Sequence, residues 1–215
     1  MVFLCLGVLL RGLTQQKPLL STRAREVFSL QSGVEYGMII FVNQDLGENN
    51  EMSLRAALEY IDDAVWFGDG VCIRPIQTQE ELAYAVFECQ LDEEQKELVN
   101  PAGFSIGRAY LYPEDNVPCL IYDENREPIG FISLCKWLGN GNAYSWSYYI
   151  DKKHQNKGYG KNAAALAIRI LKAADSQKTI KLSTEESNEK AQCLYISLGF
   201  QKLPERDGDD IVFGL

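Results

Sequence analysis

The stretch His154–Asp175, HQNKGYGKNAAALAIRILKAAD, sets a short loop with two glycines and two lysines directly before a helix-periodic run. Gly158 and Gly160 have no side chain to hold an approaching group off the backbone, so successive N–H groups can turn toward one anion. Behind them Ala163, Leu166, Ala167, Ile170, Leu171 and Ala174 recur at spacings of three and four, which predicts a helix docked by one face on a sheet. That helix adds the positive end of its dipole to the loop. Lys157 and Lys161 add full charges at the mouth. A pyrophosphate suits such a loop. The pattern is not a P-loop, because G-x-x-x-x-G-K-[ST] is absent, and GYG lacks the third glycine of the dinucleotide fingerprint.

Outward from the loop the chain alternates regularly. Upstream, NAYSWSYYID predicts a strand with Tyr144, Trp146, Tyr148 and Ile150 on one face and Ser145, Ser147 and Tyr149 on the other. Before it, VPCLIYD and PIGFISLCKWL read as strands joined by the turn ENRE. Farther back, VCIRPI reads as a strand, and TQEELAYAVFECQLDEEQKEL as a helix through Leu82, Val86 and Cys89 with acid on its outer side. Downstream come the strand TIKLST, the helix NEKAQCLYISLGF, the acidic turn LPERDGDD and a last strand IVFGL. From Val71 the order is β-α-β-β-β-α-β-α-β. That is an α+β domain, a mixed β-sheet flanked by helices, over residues 71–215.

Residues 1–70 carry no chemistry and read as an N-terminal extension. MVFLCLGVLL is apolar but about half the length needed to span a bilayer, and it lacks a basic flank or a clear cleavage site. It reads as a core strand or an upstream extension rather than a leader. EYGMIIFVN reads as a strand, and SLRAALEYIDDAV as a helix with Leu54, Ala57, Leu58, Ile61 and Val65 on one face. FGDG, residues 67–70, reads as a boundary.

The 215 residues carry a net charge of -9, which argues against nucleic acid as the main partner, because phosphate binding needs a basic face. The six cysteines fall singly, with no C-x-x-C and a single histidine, so neither a metal site nor a redox pair is expected. Reduced thiols of this kind fit a cytoplasmic protein. No membrane partner is expected.

Two segments together resemble a known family. YIDKKHQNKGYGK is similar to the acyl-CoA-binding signature of the GNAT superfamily of N-acetyltransferases, [QR]-x-x-G-x-[GA] after a strand, with Gln155, Gly158 and Gly160 in register. NEKAQCLYISLGF resembles that superfamily's second signature through Asn188, Ala191, Tyr195, Gly199 and Phe200. Acetyl-CoA is the implied co-substrate. The resemblance implies that Tyr148, Tyr149 and Ile150 bind the pantetheine arm by their backbone. It gives Gln155, Asn156, Lys157, Gly158, Tyr159, Gly160 and Lys161 the pyrophosphate, and Asn188 a bond to the cofactor's amides. Tyr195 would be the general acid toward the departing thiolate, and a backbone N–H near Ile150 would meet the oxyanion.

A narrower likeness exists as well. QKELVNPAGFSIGRAYLYPE followed by IYDENREPIGFISL is similar to the bacterial diamine and spermidine acetyltransferase branch, through Ser105, Ala109 and Tyr110. It implies a diamine or polyamine acceptor, met by Glu93, Glu94, Tyr110, Tyr112 and Glu114. Two departures are plain: Ser147 stands where the branch usually has arginine, and Asn156 replaces a glycine. Another amine remains the alternative, such as an aminoglycoside, an amino acid or a protein N-terminus. So does a non-catalytic acyl-CoA-binding module. The partner expected is a small-molecule amine, with a homodimer as the open oligomeric option.

Overall fold

A computed structural model describes residues 52–137 and 142–215. These belong to one compact unit, Glu51–Leu215. The expected strand at EYGMIIFVN and the apolar segment at residues 1–10 lie outside the described residues.

Eight strands form one sheet in the order β1-β2-β3-β4-β5-β6-β8-β7. They are β1 (Phe67–Gly68), β2 (Val71–Pro75), β3 (Asn116–Asp123), β4 (Pro128–Lys136), β5 (Ala143–Ile150), β6 (Thr179–Thr184), β7 (Gln201–Asp207) and β8 (Asp210–Gly214). All neighbours run antiparallel except β5 and β6. The mixed sheet predicted from the sequence is the one found.

Two helical layers cover the sheet. One holds α1 (Leu54–Glu59) and α5 (Tyr159–Ala174), whose Ala163, Ala164, Leu166, Ala167, Ile170 and Leu171 are buried in the main core. The spacings of three and four foretold that face. The other holds α2 (Gln79–Ala83), the short α3 (Glu93–Lys96) and α4 (Ala102–Leu111), above a smaller cluster of Ala85, Ala102, Leu120 and Phe131. The last helix, α6 (Glu189–Ser197), precedes β7. The alternation in β5 divides its side chains as expected: Tyr144, Trp146 and Ile150 join the main core, while Tyr149 packs against the smaller cluster.

Three elements differ from expectation. The long helix predicted from Thr78 breaks into α2, one π-helical turn at Tyr84–Glu88, an extended Cys89 and then α3. A helix, α4, occupies the segment that precedes the strand VPCLIYD. LPERDGDD is mostly strand β7, with Gly208 at φ 61 in the turn to β8.

FGDG, expected as a boundary, is a hairpin. Asp69 (φ 50) and Gly70 (φ 75) both take positive φ between β1 and β2, the backbone that a two-residue hairpin of the Asp-Gly kind requires. Residues on its N-terminal side are part of the core: Leu54 is 0% exposed, and Leu58 and Trp66 join the same cluster as Val71 and Ile73. Arg169 of α5 donates to the carbonyls of Val65 and Phe67, and Asn162 Nδ2 to Asp69 O at 2.7 Å. Packing therefore runs continuously across residue 70.

Candidate active site

The site is organised by a parting of two strands. β5 and β6 are in register only at Ala143↔Thr179 and Tyr144↔Ile180, and beyond that they diverge. Asp151 N–H donates to Ile129 O and Trp137 N–H to Ala143 O, so odd-numbered residues of β5 turn their backbone groups toward β4. The alternation of a strand then turns those of Trp146, Tyr148 and Ile150 into the opening left by β6. Tyr149 turns the other way: its backbone faces Phe131 on β4, and its phenol accepts from Ala102 N–H at 3.3 Å.

The loop closes the far end of this opening. A 3-10 turn, Lys152–His154, follows β5, with the buried Asp151 carboxylate accepting from Lys153 N–H at 3.2 Å. Asn156 (φ 62) and Gly158 (φ 87) then take left-handed backbone, which glycine adopts without strain and asparagine tolerates. Gly158 is the N-cap of α5, and no side chain caps the helix. The first intrahelical bond runs from Asn162 N–H to Gly158 O, so the N–H groups of Tyr159, Gly160 and Lys161 precede it and point out of the helix end. Lys157 and Lys161 are exposed beside them.

Gln155 faces inward. Its Nε2 donates to Ile150 O at 2.9 Å, and its amide pairs reciprocally with Gln95 at 2.9 and 3.1 Å. This side chain braces the loop against β5 and α3. A Cβ on Gly160 would meet Tyr148 Oη at 3.7 Å and Ile150 Cγ1 at 3.8 Å, ordinary contact distances, so the helix start lies directly on β5.

α6 borders the opening from the β6 side. Asn188 is its N-cap, with Oδ1 accepting from Ala191 N–H at 3.1 Å. The ring of Tyr195 packs on Phe200 (5.9 Å between centroids) and Phe213 (5.6 Å), and Phe200 meets Trp146 edge-on at 5.9 Å. This aromatic chain bridges β5 to β8 where the sheet has split. Burial pushes the Tyr195 phenol up to about 12. It raises Tyr148 as well, with the neighbouring Tyr195 adding to the effect. Trp146 Nε1 is buried on the same face and has no hydrogen-bond partner among the described residues.

The residues expected around the acceptor do not form one group. Glu93 pairs with Lys96 and lies near enough to Lys152 to feel its charge, at the loop end of β5, and the exposed Glu94 is its neighbour in α3. Glu114 accepts from Ser53 Oγ at 2.8 Å, beside the start of β3, which is in register with Cys135 and so with Ser145 at the other end of β5. At about 3.3 Å per residue the two ends are roughly 20 Å apart. Tyr110 and Tyr112 are exposed near that second end, at 86% and 57%.

Among the described residues no group of His, Cys, Asp and Glu is arranged to hold a metal ion, and no helix is long and apolar enough to cross a membrane. The described cysteines are all free thiols. Sequence reasoning passed over Trp146 Nε1 and the Gln95–Gln155 pair. An orphaned donor has no signature in one dimension, and the pair joins residues 60 positions apart.

The sheet is split between two parallel strands, and an uncapped helix start lies at the end of the split. Residues 81–200, more than half of the chain, match the model described as the acetyltransferase (GNAT) family, and the chain belongs to that family. It is an N-acetyltransferase with acetyl-CoA as co-substrate. Solved structures share its fold at low identity. Mycobacterium smegmatis RimJ in complex with CoA-disulfide is 16% identical over 67% of this chain and 81% of that one, with a TM-score of 0.54. A putative ribosomal-protein-serine acetyltransferase from Vibrio cholerae is 19% identical over 70% and 95%, at 0.52. AAC(6')-Ib in complex with ribostamycin and coenzyme A is 20% identical over 68% and 92%, at 0.54. No curated protein sequence matches the chain significantly.

Proposed function

We propose that the chain transfers an acetyl group from acetyl-CoA to a primary amine in the opening between β5 and β6. The observation that carries this is the parting of the two strands after Tyr144↔Ile180, with the α5 N–H groups at one end and Tyr195 beside it.

In this reading the N–H groups of Tyr159, Gly160 and Lys161 hold the pyrophosphate, with Gly158 shaping the turn, Asn156 and Gln155 fixing the loop, and Lys157 and Lys161 adding charge. The backbone of Tyr148 and Ile150 takes the pantetheine arm as an added strand. Tyr149 contributes only through packing, since its backbone is directed to β4. Asn188, already a helix cap, keeps an amide NH2 for the same arm. The orphaned Trp146 Nε1 fits a polar group entering the opening.

Acetyl-CoA supplies the acetyl group as a thioester, which a neutral amine attacks directly. An ammonium of pKa about 10.4 is neutral in roughly one molecule in two thousand at pH 7, a penalty of about 4–5 kcal/mol that removal of its proton must meet. Tyr195 is protonated at neutral pH, as an ordinary phenol is, and burial that raises it to about 12 makes it a weaker acid still. Full transfer to a thiolate of ordinary pKa about 8.5 is uphill by about 5 kcal/mol. Tyr195 therefore acts chiefly by donating a strong hydrogen bond to the sulfur as charge develops there.

The finer proposal for the acceptor is a diamine or polyamine. It rests on the acid of residues 80–97 and on the likeness of residues 95–134 to the diamine and spermidine branch. Glu93 and Glu94 would draw a polycation toward one end of β5, and Glu114 with Tyr110 and Tyr112 toward the other. Thiol release from acetyl-CoA with a panel of amines tests the whole proposal. Turnover with spermidine that falls more steeply with salt than turnover with a monoamine supports the polyamine. Equal slopes leave only the transferase. Absence of turnover with every amine, in protein that binds acetyl-CoA, favours a non-catalytic acyl-CoA-binding module.

A further inference from the structure

On the face of β4 and β5 turned toward α4, Arg108 holds a guanidinium nitrogen with no partner among the described residues. Arg108 of α4 makes no hydrogen bond or ion pair within the described residues, and its Nη2 is wholly buried. The other arginines of known contacts behave differently: Arg55, Arg74, Arg169 and Arg206 all engage a carbonyl or a carboxylate. Arg108 as a residue is partly exposed, so water reaches the rest of its guanidinium, while Nη2 is closed off from solvent without an acceptor among the described residues. An anion reaching Nη2 would supply the acceptor it lacks.

The surroundings locate that anion. Ala102 and Ser105 of α4 are buried against the sheet, and Arg108 follows Ser105 one helical turn later on the same side. The guanidinium lies close enough to Cys135 on β4 to oppose the burial that pushes its thiol up to about 11. Cys135 is in register with Ser145, and Ser133 with Ser147. Ser133 and Ser145 are buried and Ser147 is partly covered, so beside Cys135 this face of β4 and β5 presents neutral hydroxyls and no carboxylate. β5 is also the strand whose other side opens where β6 departs, and Cys135 is one strand spacing, about 4.8 Å, from it. An acceptor approaching the thioester from the α4 side meets Arg108 on its way.

We infer that Arg108 and the Ser133, Ser145 and Ser147 hydroxyls form a subsite for an anionic group, carboxylate or phosphate, carried by the acceptor itself. The inference rests on the acetyltransferase reading and competes with the diamine or polyamine acceptor proposed above: in it the acceptor is an amine with its own anion. A planar guanidinium takes a carboxylate or phosphate through two parallel hydrogen bonds, and the serines supply further donors. The exposed acids at both ends of β5 are then left to meet the cationic parts of the same molecule.

Matched pairs that differ only in the anion test this: lysine against cadaverine for a carboxylate, and phosphoethanolamine against ethanolamine for a phosphate. Each is titrated calorimetrically into the full-length protein saturated with coenzyme A. The expected result is at least tenfold tighter binding of one anionic member over its neutral partner, and the pair that shows it identifies the anion. In Arg108→Met the preference falls to within about twofold while the protein stays folded with a melting temperature close to that of wild type, because the side chain replaced is partly exposed and bonds to none of the described residues. Arg108→Lys, which keeps the charge but not the fork, retains only part of the preference. Equal binding of both members of both pairs to wild type overturns the inference, as does a preference that survives in Arg108→Met. Failure of coenzyme A itself to bind overturns the transferase site and this subsite with it, which separates the two failures.

Discussion

The Tyr148 phenol on β5 donates a 3.2 Å hydrogen bond to the carbonyl of Gly160 in the first turn of α5. One side chain thus ties the strand that borders the opening to the loop at its end. Tyr195 of α6 lies near enough to raise the Tyr148 phenol further. The three elements that bound the proposed cofactor site meet at these two tyrosines.

Tyr148→Phe removes that tie and keeps the ring. A neutral hydrogen bond contributes about 1 kcal/mol, so stability should fall by about that amount. A loop freed at Gly160 should bind acetyl-CoA about three- to tenfold less tightly. Calorimetry and thermal melts together measure both effects. Unchanged affinity in a destabilised variant would confine Tyr148 to packing.

Tyr195→Phe tests hydrogen-bond donation to the sulfur. A bond to a developing charge is worth about 1.5–3 kcal/mol, so kcat should fall roughly 10–150-fold with acetyl-CoA affinity nearly unchanged. A loss under about threefold would make Tyr195 a packing residue of the Phe200–Phe213 cluster.

The pH dependence follows from the same phenol. Its folded-state pKa, about 12, exceeds its ordinary value of 10. The stability it contributes is fully present below pH 10 and is lost as pH rises through 12. Tyr149, also raised to about 12 by burial, adds to the same window. Denaturation midpoints should therefore decline between pH 10 and 12. Below pH 10, kcat/KM should show no descending limb from Tyr195. A descending limb near pH 8–9 that vanishes in Tyr195→Phe would contradict this.

Truncation at Val71 removes Leu54, Leu58 and Trp66 from the main core. At about 1.5–3 kcal/mol for each buried side chain, the loss rivals the 5–15 kcal/mol that holds an ordinary domain folded. The shortened chain should be insoluble or lack a cooperative transition. A soluble product melting within a few degrees of the full chain would mean that residues 52–70 are dispensable.

Legibility followed the strength of local patterns. α5 shows three- and fourfold spacing over 16 residues, and β5 alternates aromatic residues with serines from Tyr144 to Tyr148, so both were readable. β7 was not, because QKLPERD is almost wholly exposed and has no apolar face to announce a strand. α4 carries Gly103 and Gly107, each a poor helix former, and its helical state depends on burying Ala102 and Ser105. Asp69-Gly70 has the chemistry of a linker and of a hairpin alike, and only the pairing of Phe67 with Cys72 decides for the hairpin. The loop and helix start proposed for the cofactor were readable as elements because their motif is contiguous. The acceptor side was not, since Glu93 and Glu114 are brought to opposite ends of β5 by tertiary structure alone.

The most direct test of the central claim is a calorimetric titration of acetyl-CoA into wild type, Gly160→Ala and Gly160→Val. A Cβ at residue 160 meets Tyr148 and Ile150 at ordinary contact distance, so the alanine variant should fold normally and bind with a modest loss. The branched valine adds methyl groups where strand, helix start and the proposed pyrophosphate site converge, and should weaken binding at least tenfold while the protein stays folded. Equal affinity of wild type and a folded Gly160→Val for acetyl-CoA would contradict the placement of the cofactor at this loop.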